Sequence, residues 1–172
     1  MGSGRYNYAA TTVGNYALFG GGYRASIRND VNAIDTSLTN RIATDLSKNR
    51  QYLAATTIGD YALFGGGNID SSNSGSNVVD AYDKSLTRSI LTGLSVARQH
   101  TSATTIANYA LFAGGSHKTT TYNTVDAYDE SLTRTIPTPL GGTRSSLGAT
   151  TVGDYALFGG GGKKTIYAYT IA

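Results

Sequence analysis

Short apolar segments that end in glycine recur along this chain and are typical of β-strands. The segment 61–64 reads Tyr-Ala-Leu-Phe and runs into three glycines, which can adopt the positive φ angles of a turn. Its residues do not alternate between apolar and polar, as they would in a strand with one face in water. The segment 55–58, Ala-Thr-Thr-Ile, is rich in β-branched residues. The pattern predicts strands covered on both faces and no helix.

The same phrase occurs four times at nearly even intervals. Its tyrosine falls at positions 16, 61, 109 and 155, which are 45, 48 and 46 residues apart. An arginine keeps the same interval at positions 5, 50, 98 and 144. Regular self-similarity of this kind indicates a repeat architecture. We divide the chain into unit 1 (about 5–49), unit 2 (about 50–97), unit 3 (about 98–143) and unit 4 (144–172).

Each unit is predicted to contain four short strands. Strand one is the Ala-Thr-Thr segment, and a two-residue turn such as Gly59-Asp60 leads into the Tyr-Ala-Leu-Phe strand. Strand three is Val-Asp-Ala-Tyr or a close variant, and an Asp-x-Ser-Leu-Thr turn follows it. Strand four is expected near 41–44, 88–91 and 134–136. Unit 4 spans 29 residues, from 144 to 172, which provides for three strands and leaves out the fourth.

Repeating four-stranded units with both faces covered favour a β-propeller, in which the units are blades around an axis. A β-sandwich is disfavoured because each of its sheets would expose one face and alternate. The predicted fold is therefore all-β: a propeller segment over residues 5–172 with three full antiparallel blades and a three-stranded fourth.

The repeat resembles the kelch family, whose repeats of about 50 residues form four-stranded propeller blades. The resemblance is carried by a glycine pair after strand two, a basic residue before strand one and a tyrosine in strand three. These residues are Gly20-Gly21 with Arg5, Gly65-Gly66 with Arg50 and Tyr82, Gly114-Gly115 with Arg98 and Tyr128, and Gly159-Gly160 with Arg144. The family tryptophan falls at Arg88 and Arg134, and unit 1 has Ile34 in place of the tyrosine. The resemblance implies the propeller fold but no particular partner.

An open arc of blades would leave an apolar face bare at each end, and such patches usually drive association. Two chains meeting head to tail around a twofold axis would bury both ends in an eight-bladed ring. The alternative is a monomeric ring of four blades, which would be unusual beside the six- or seven-bladed wheels that kelch-like rings resemble. We favour the homodimer, so the expected partner is another copy of the chain.

Composition narrows the remaining possibilities. The chain has 22 glycines and no cysteine, which excludes disulfides, thiolate metal sites and a cysteine nucleophile. The net charge of +3 comes from lysines and arginines scattered among the repeats, so no nucleic-acid partner is expected. No apolar run approaches the roughly 18 residues of a membrane helix, so no membrane partner is expected. Residues 1–4, Met-Gly-Ser-Gly, are interpreted as an expression scar.

Signals for catalysis are weak. His100 and His117 are the two histidines of the chain. His100 occupies the position of Tyr52 and Ser146 in other units, which favours a place in the repeat scaffold, and His117 is expected in a solvated loop. This distribution disfavours a histidine metal site or a Ser-His-Asp triad. We predict that the protein is not an enzyme and has no catalytic residue, cofactor or metal site.

The recurring charged residues also fit a structural role. Asp35, Asp83 and Asp129 each precede a serine in phase with the repeat, which is typical of an Asx turn rather than of paired catalytic carboxylates. The recurring arginines could hold anionic ligands at a rim. We expect them instead to bond strand-end carbonyls or to stack on an aromatic ring of a neighbouring blade. The glycine triplets open no helix and lack the Gly-Lys-Ser/Thr of a phosphate loop.

The segment between strands two and three is the part of the repeat that differs from unit to unit. Strand alternation places these variable loops on the same face as the links between units. A constant frame with one variable set of loops is typical of a recognition surface, although loops that drifted without a ligand would look the same. The candidate ligand-binding residues are Tyr23, Arg24, Arg28, Asn68, Asp70, Asn73, His117, Lys118 and Tyr122.

Two functional hypotheses follow. The first is a non-catalytic binding or scaffold module that recognises a protein or a carbohydrate through its variable loops. The second is a purely structural propeller fragment, natural or engineered, whose only partner is another copy of itself. An enzyme of unknown type ranks third.

Overall fold

Four small antiparallel sheets follow one another along the chain in the computed structural model, which describes residues 4–170. Sheets 1 to 3 have four strands each and sheet 4 has three. The described residues contain no helix, and hence none with the length and apolar character to cross a membrane. The all-β prediction is confirmed. Met1, Gly2 and Ser3 of the predicted expression scar lie outside the described residues.

The strands follow the order predicted for each repeat. Sheet 1 contains β1 (Ala9–Val13) and β2 (Tyr16–Gly20), then, after the short hairpin of β3 (Tyr23–Arg24) and β4 (Ser26–Ile27), β5 (Val31–Asp35) and β6 (Asn40–Ile42). Sheet 2 contains β7 (Ala54–Ile58), β8 (Tyr61–Gly65), β9 (Val79–Tyr82) and β10 (Arg88–Ile90). The fourth strands end earlier than predicted. The short hairpins inside the variable loops, whose strands have two residues each, were not predicted.

Sheets 3 and 4 repeat this arrangement. Sheet 3 contains β11 (Ser102–Ile106), β12 (Tyr109–Ala113), β15 (Val125–Asp129) and β16 (Arg134–Thr135), with a hairpin of β13 (Ser116–His117) and β14 (Thr120–Thr121) in its loop. Sheet 4 contains β17 (Leu147–Val152), β18 (Tyr155–Gly160) and β19 (Ile166–Tyr169). Sheet 4 thus has the three strands that the length of unit 4 predicted.

Glycines allow consecutive sheets to approach closely. A Cβ atom on Gly65, at the end of β8, would lie 2.7 Å from the ring of Phe112 in sheet 3. Gly66 has a φ of +69°, and a Cβ there would lie 2.8 Å from the carbonyl oxygen of Arg98. The glycine pair after strand two is therefore required both by the backbone conformation and by the contact with the next sheet.

The hydrophobic core consists of three clusters, each between two consecutive sheets. In each cluster the forward face of one sheet packs on the rear face of the next. The forward faces carry Leu18, Val31 and Ala33 in sheet 1, Leu63, Val79 and Ala81 in sheet 2, and Leu111, Val125 and Ala127 in sheet 3. The rear faces carry Ala62, Phe64 and Tyr82 in sheet 2, Ala110, Phe112 and Tyr128 in sheet 3, and Ala156, Phe158 and Tyr169 in sheet 4.

Burial of strand two depends on the place of the sheet in this series. Every residue of β8 and of β12 after the first tyrosine is buried, which confirms the predicted cover on both faces. The prediction is wrong for β2 and for β18, whose residues alternate between buried and more exposed. The reason is that sheet 1 packs against a sheet on its forward face and sheet 4 packs against a sheet on its rear face. Among residues 4–170, the forward face of sheet 4 and the rear face of sheet 1 are both uncovered.

The first strands of the four sheets lie side by side, because β1 contacts β7, β7 contacts β11 and β11 contacts β17. Threonine hydroxyls join them: Thr11 Oγ1 lies 2.7 Å from Thr57 Oγ1, and Thr57 Oγ1 donates to the Thr12 carbonyl at 2.5 Å. The pairs Thr56–Thr105 and Thr104–Thr151 repeat the contact at 2.8 and 2.9 Å. Strands β17 and β1 share no comparable contact within residues 4–170, so the series of sheets is open.

A buried arginine fastens the strands within each middle sheet. Arg50 donates to the carbonyls of Gly66 at 2.6 Å and Val78 at 2.8 Å, and to the Asp80 carboxylate at 2.5 Å. Neither Arg50 nor Asp80 is exposed to solvent. The predicted bonds to strand-end carbonyls are confirmed, whereas the aspartate partner was not predicted. Arg98 and Asp126 make the same pair in sheet 3, where Arg98 also donates to the carbonyls of Gly114 and Thr124.

The two end sheets replace this aspartate by neutral residues. In sheet 1, Arg5 donates to the Asn32 side-chain oxygen at 2.5 Å. In sheet 4, the guanidinium of Arg144 lies 5.5 Å from the ring centre of Tyr167. Because Tyr167 belongs to the same sheet as Arg144, the predicted stacking on a neighbouring blade is wrong. The Arg5 side chain is only 4% exposed and keeps a counter-charge, because the partly exposed carboxylate of Asp30 lies 3.7 Å away.

The predicted Asx turns are confirmed. In the turn between β9 and β10, Asp83 Oδ1 accepts hydrogen bonds from the backbone N–H groups of Ser85 and Thr87, both at 2.9 Å. Asp35 and Asp129 accept from their own turns in the same manner. These aspartates stabilise turns.

We expect Asp126→Ala to lower the free energy of unfolding by about 3–5 kcal/mol, because it leaves the buried Arg98 guanidinium without its counter-charge. Urea unfolding at one fixed protein concentration measures this, with the exposed neighbour Glu130→Ala as the matched control. The double variant Arg98→Met/Asp126→Leu should recover much of the loss, since it removes both charges. An Asp126→Ala variant that unfolds like the control would show that the pair does not stabilise the sheet.

Candidate functional site: the variable-loop face

Backbone hydrogen bonds tie each variable loop to the link that enters the next sheet. In unit 2, the Gly67 N–H donates to the Arg98 carbonyl at 2.8 Å, and the Arg98 N–H donates to the Ser76 carbonyl at 2.9 Å. In unit 3, Gly115 and Arg144 form one such bond at 2.7 Å. The loops and the links therefore lie together, as the strand alternation predicted.

The loops of units 2 and 3 touch each other and form one continuous surface. The Gly75 N–H donates to His117 Nδ1 at 3.1 Å, and the Lys118 N–H donates to the Asn73 carbonyl at 2.9 Å. The Gln99 side chain donates to the same Asn73 carbonyl at 3.0 Å. His117 thus lies in a loop as predicted, but it is half-buried against the neighbouring loop. The structure brings Asn73, His117 and Lys118 together.

Residues 68–75 form a turn ordered by its own polar groups. Asp70 Oδ1 accepts the N–H groups of Ser72 at 2.9 Å and Ser74 at 3.0 Å. These bonds, led by the one from Ser74, lower the pKa of Asp70 below its usual value. Asn68 is only 3% exposed, and its side-chain oxygen accepts the Asp70 N–H at 2.9 Å. Asn68 therefore supports the loop from inside and does not reach its surface.

The unit 1 loop forms a separate patch. The rings of Tyr23 and Tyr6 lie 5.4 Å apart, and Arg24 is exposed beside them. Arg28 makes two side-chain hydrogen bonds to Asp30, at 3.1 and 3.0 Å, which raise its pKa. No hydrogen bond among residues 4–170 joins these side chains to the loops of units 2 and 3.

Tyr122 completes the set of predicted residues at the far end of the unit 3 loop. It is half-buried, and its N–H donates to the Gly115 carbonyl at 2.9 Å. Its own carbonyl accepts the Arg144 N–H at 3.0 Å. The backbone of Tyr122 thus anchors the loop to sheet 4. Of the nine predicted residues, the three of unit 1 lie in one patch and those of units 2 and 3 belong to a second patch, with Asn68 buried beneath it.

Sequence reasoning missed an aromatic pair beside these loops. The rings of Tyr52 and His100 lie 4.1 Å apart, and both residues have a positive φ. The His100 N–H donates to the Tyr52 carbonyl at 3.0 Å, and the Ser146 N–H donates to the His100 carbonyl at 3.0 Å. Partial burial lowers the pKa of His100. His100 is a scaffold residue as predicted. The sequence signal for the pair was that His100, Tyr52 and Ser146 occupy the same position in successive units.

The described residues offer hydrogen-bonding and aromatic groups but no cluster of three His, Cys, Asp or Glu side chains that could hold a metal ion. Amide, imidazole, amino and hydroxyl groups arranged on loops are suited to non-covalent recognition. Comparison of the sequence with protein-family models and with curated proteins returned no match. The functional assignment therefore depends on the geometry of the chain.

We expect the unit 2 loop to loosen in acid. The folded pKa of Asp70 lies below the unfolded value of about 3.9, so its contribution to stability is present above about pH 4 and is lost as the pH falls through the folded pKa. The amide NMR signals of Ser72 and Ser74 should shift together in this range. Asp70→Asn keeps an acceptor oxygen and should abolish that shift; a shift that persists in Asp70→Asn would contradict the assignment.

Proposed function

We propose that the chain is a β-propeller segment of four kelch-like blades that closes into an eight-bladed ring with a second copy. The ring is a non-catalytic scaffold, and its variable loops serve to recognise a protein or a carbohydrate. One observation carries this proposal: the two uncovered end faces correspond to the two halves of an interface that the chain builds three times internally.

The forward face of sheet 4 repeats the forward faces of the other sheets. Leu157, Ile166 and Ala168 hold the positions of Leu63, Val79 and Ala81 in sheet 2. In sheet 2 these three side chains are fully buried by sheet 3. In sheet 4 they have no covering sheet among the described residues, and Ile166 is 64% exposed. An apolar face of this kind favours association.

The rear face of sheet 1 supplies the complementary half. Ala17 and Phe19 hold the positions of Ala62 and Phe64, which pack into the preceding sheet in the middle of the chain. The leucine of the following turn gives the same contrast: Leu86 is 8% exposed because it packs on sheet 1, whereas Leu38 is 85% exposed. A preceding sheet would cover all three residues of sheet 1.

One substitution in unit 1 fits a junction between separate chains. The hydroxyl groups of Tyr82 and Tyr128 donate to carbonyls of the link from the preceding sheet, at Thr44 and Thr92, both at 2.8 Å. A junction between two chains has no such covalent link. Unit 1 has Ile34 at this position, and an isoleucine needs no acceptor.

The hydroxyl ladder of the first strands also continues across the junction. Within the chain, the first threonine of one unit bonds the second threonine of the next, as Thr11 does with Thr57. The remaining members of this series are Thr150 in sheet 4 and Thr12 in sheet 1, and both are exposed. Head-to-tail contact would place these two hydroxyls together.

The number of copies follows from the size of known propellers, which have about four to eight blades. Four sheets per chain allow one copy or two. A single-copy ring requires sheet 4 to cover sheet 1, and these sheets do not meet within residues 4–170. Two copies give a closed ring with two junctions. At each junction the sheet 4 face of one copy is buried against the sheet 1 face of the other. The alternative function is a structural ring whose only ligand is its own second copy.

We predict a solution mass of about 36 kDa by light scattering, twice the chain mass of 18.0 kDa. Leu157→Asp and Phe19→Asp should each give monomers near 18.0 kDa, because a charge then enters a face that must be buried. Ser89→Asp, at an exposed position of β10 in a middle sheet, is the matched control and should stay dimeric. A wild-type mass of one chain would contradict ring closure.

Mixing the two variants tests the head-to-tail orientation. Leu157→Asp retains an intact sheet 1 face and Phe19→Asp retains an intact sheet 4 face, so together they can form one good interface. The mixture should form heterodimers, while each variant alone does not. If Phe19→Asp alone remained a dimer, the chains would pair sheet 4 to sheet 4 instead.

Loop recognition is tested on protein and glycan arrays. Residues 69–74 are replaced by a glycine-serine turn, which spares the buried Asn68, Gly75 and Ser76. We expect this replacement to abolish the binding seen with the wild-type ring, because it removes the surface that Asn73 and His117 build. Lys84→Ala, in a turn between strands three and four, should leave binding unchanged. An absence of any array binding by the wild-type ring would favour the structural alternative.

A further inference from the structure

The outer edge of sheet 4 has no strand partner among residues 4–170. Strand β19 pairs with β18 on one side only. The corresponding strands β5, β9 and β15 each pair with a fourth strand as well. Ring closure through the sheet faces does not cover this edge, so the inference does not depend on the proposed ring.

The other sheets indicate what this edge accepts. The turn before strand four carries Leu86 in unit 2, which packs into the core between sheets 1 and 2. Leu132 does the same between sheets 2 and 3. The cluster that receives Leu86 contains Val13, Leu18, Ala33 and Tyr82, together with the partly buried Tyr16 and Ala43.

The same positions between sheets 3 and 4 surround a pocket of about 250 Å³. Its lining includes Ile106, Tyr109, Leu111, Ala127, Pro137 and Tyr169. By position in the repeat, these residues match, one for one, the six residues just named from the cluster that contains Leu86. The pocket is thus shaped for a leucine side chain that a fourth strand would bring.

An arginine position accompanies the leucine. Arg88 pairs with Tyr82, and Arg134 pairs with Tyr128, in the strand register. Their guanidinium groups donate to carbonyls of the preceding unit, Arg88 to Asp45 at 2.8 Å and Arg134 to Gly93 at 2.7 Å. The corresponding carbonyl for sheet 4 is that of Pro139.

A groove lies beside Pro139, where this arginine would reach the carbonyl. It measures about 340 Å³, and its lining includes Thr138, Pro139, Gly141 and Tyr167 to Tyr169 of β19. The leucine pocket and this groove adjoin each other at the C-terminal end of β19, because Tyr169 and Thr170 line both.

We propose that the β19 edge binds an extended segment of a second protein that carries a leucine and, two residues later, an arginine. The segment adds to sheet 4 as an antiparallel fourth strand. Backbone hydrogen bonds supply affinity, and the side-chain pockets supply specificity. The leucine enters the pocket beside Ile106, and the arginine reaches the Pro139 carbonyl.

The test uses a fluorescent peptide, Asp-Glu-Ser-Leu-Thr-Arg-Thr-Ile, which copies residues 129–136. We expect saturable anisotropy with the whole chain and amide NMR shifts concentrated at residues 166–170. Replacing the peptide leucine by alanine should weaken binding by about tenfold or more, since a buried leucine is worth about 1.5–3 kcal/mol. A scrambled peptide should not bind.

A matched pair of variants tests the backbone pairing. In sheets 2 and 3 the N–H groups of Asp83 and Asp129 donate to strand-four turn carbonyls, each at 3.2 Å. Thr170 holds that position in sheet 4, so Thr170→Pro removes the donor and should weaken binding at least about fivefold. Thr170→Ala keeps the N–H and should bind like the wild type.

Three results would overturn the proposal. The first is equal binding of the native and scrambled peptides, and the second is equal binding by the proline and alanine variants. The third is conversion of a dimer into monomers by the native peptide, which would assign this edge to a second copy. The peptide assay does not require a dimer. Even if the ring does not close, peptide binding by the monomer would still support or refute the proposed role of the β19 edge.

Discussion

The packing of a forward face on the next rear face is the interaction on which the rest of the structure depends. Each sheet has only three or four short strands and cannot bury its apolar side chains by itself. Contact with a neighbour on both faces allows strand two to be apolar throughout, as in β8. It also requires glycine where Gly65 meets the ring of Phe112. The apolar and glycine positions of the repeat are therefore explained by this one interface.

The buried ion pairs follow from the same constraint. A sheet covered on both faces leaves the ends of its strands without water, so the carbonyls of Gly66 and Val78 need an internal donor. Arg50 supplies it, and Asp80 then neutralises the buried charge. Asn32 and Tyr167 take the place of the aspartate in the two end sheets, and in sheet 1 the partly exposed carboxylate of Asp30 lies 3.7 Å from Arg5 instead.

The sequence allowed the strands and the turns to be predicted, because they depend on local chemistry such as Gly59-Asp60 and Asp83-Lys84-Ser85. Burial at the ends could not be predicted in this way. Residues 60–67 and 154–161 have identical sequences, yet Leu63 is buried and Leu157 is half-exposed. The difference lies in whether a neighbouring sheet follows. The contact of His117 with Gly75 also could not be predicted from the sequence, because it joins loops from two units with unrelated sequences.

Disulfide cross-linking tests the head-to-tail contact between sheet 4 of one copy and sheet 1 of the other most directly. The chain has no cysteine of its own that would interfere. Thr12→Cys and Thr150→Cys proteins are mixed under mild oxidation, with each variant alone as a control. Head-to-tail packing predicts an efficient cross-link between Cys at 12 of one copy and Cys at 150 of the other, and little cross-linking within either single variant. Efficient cross-linking of one variant with itself, or none in the mixture, would contradict it.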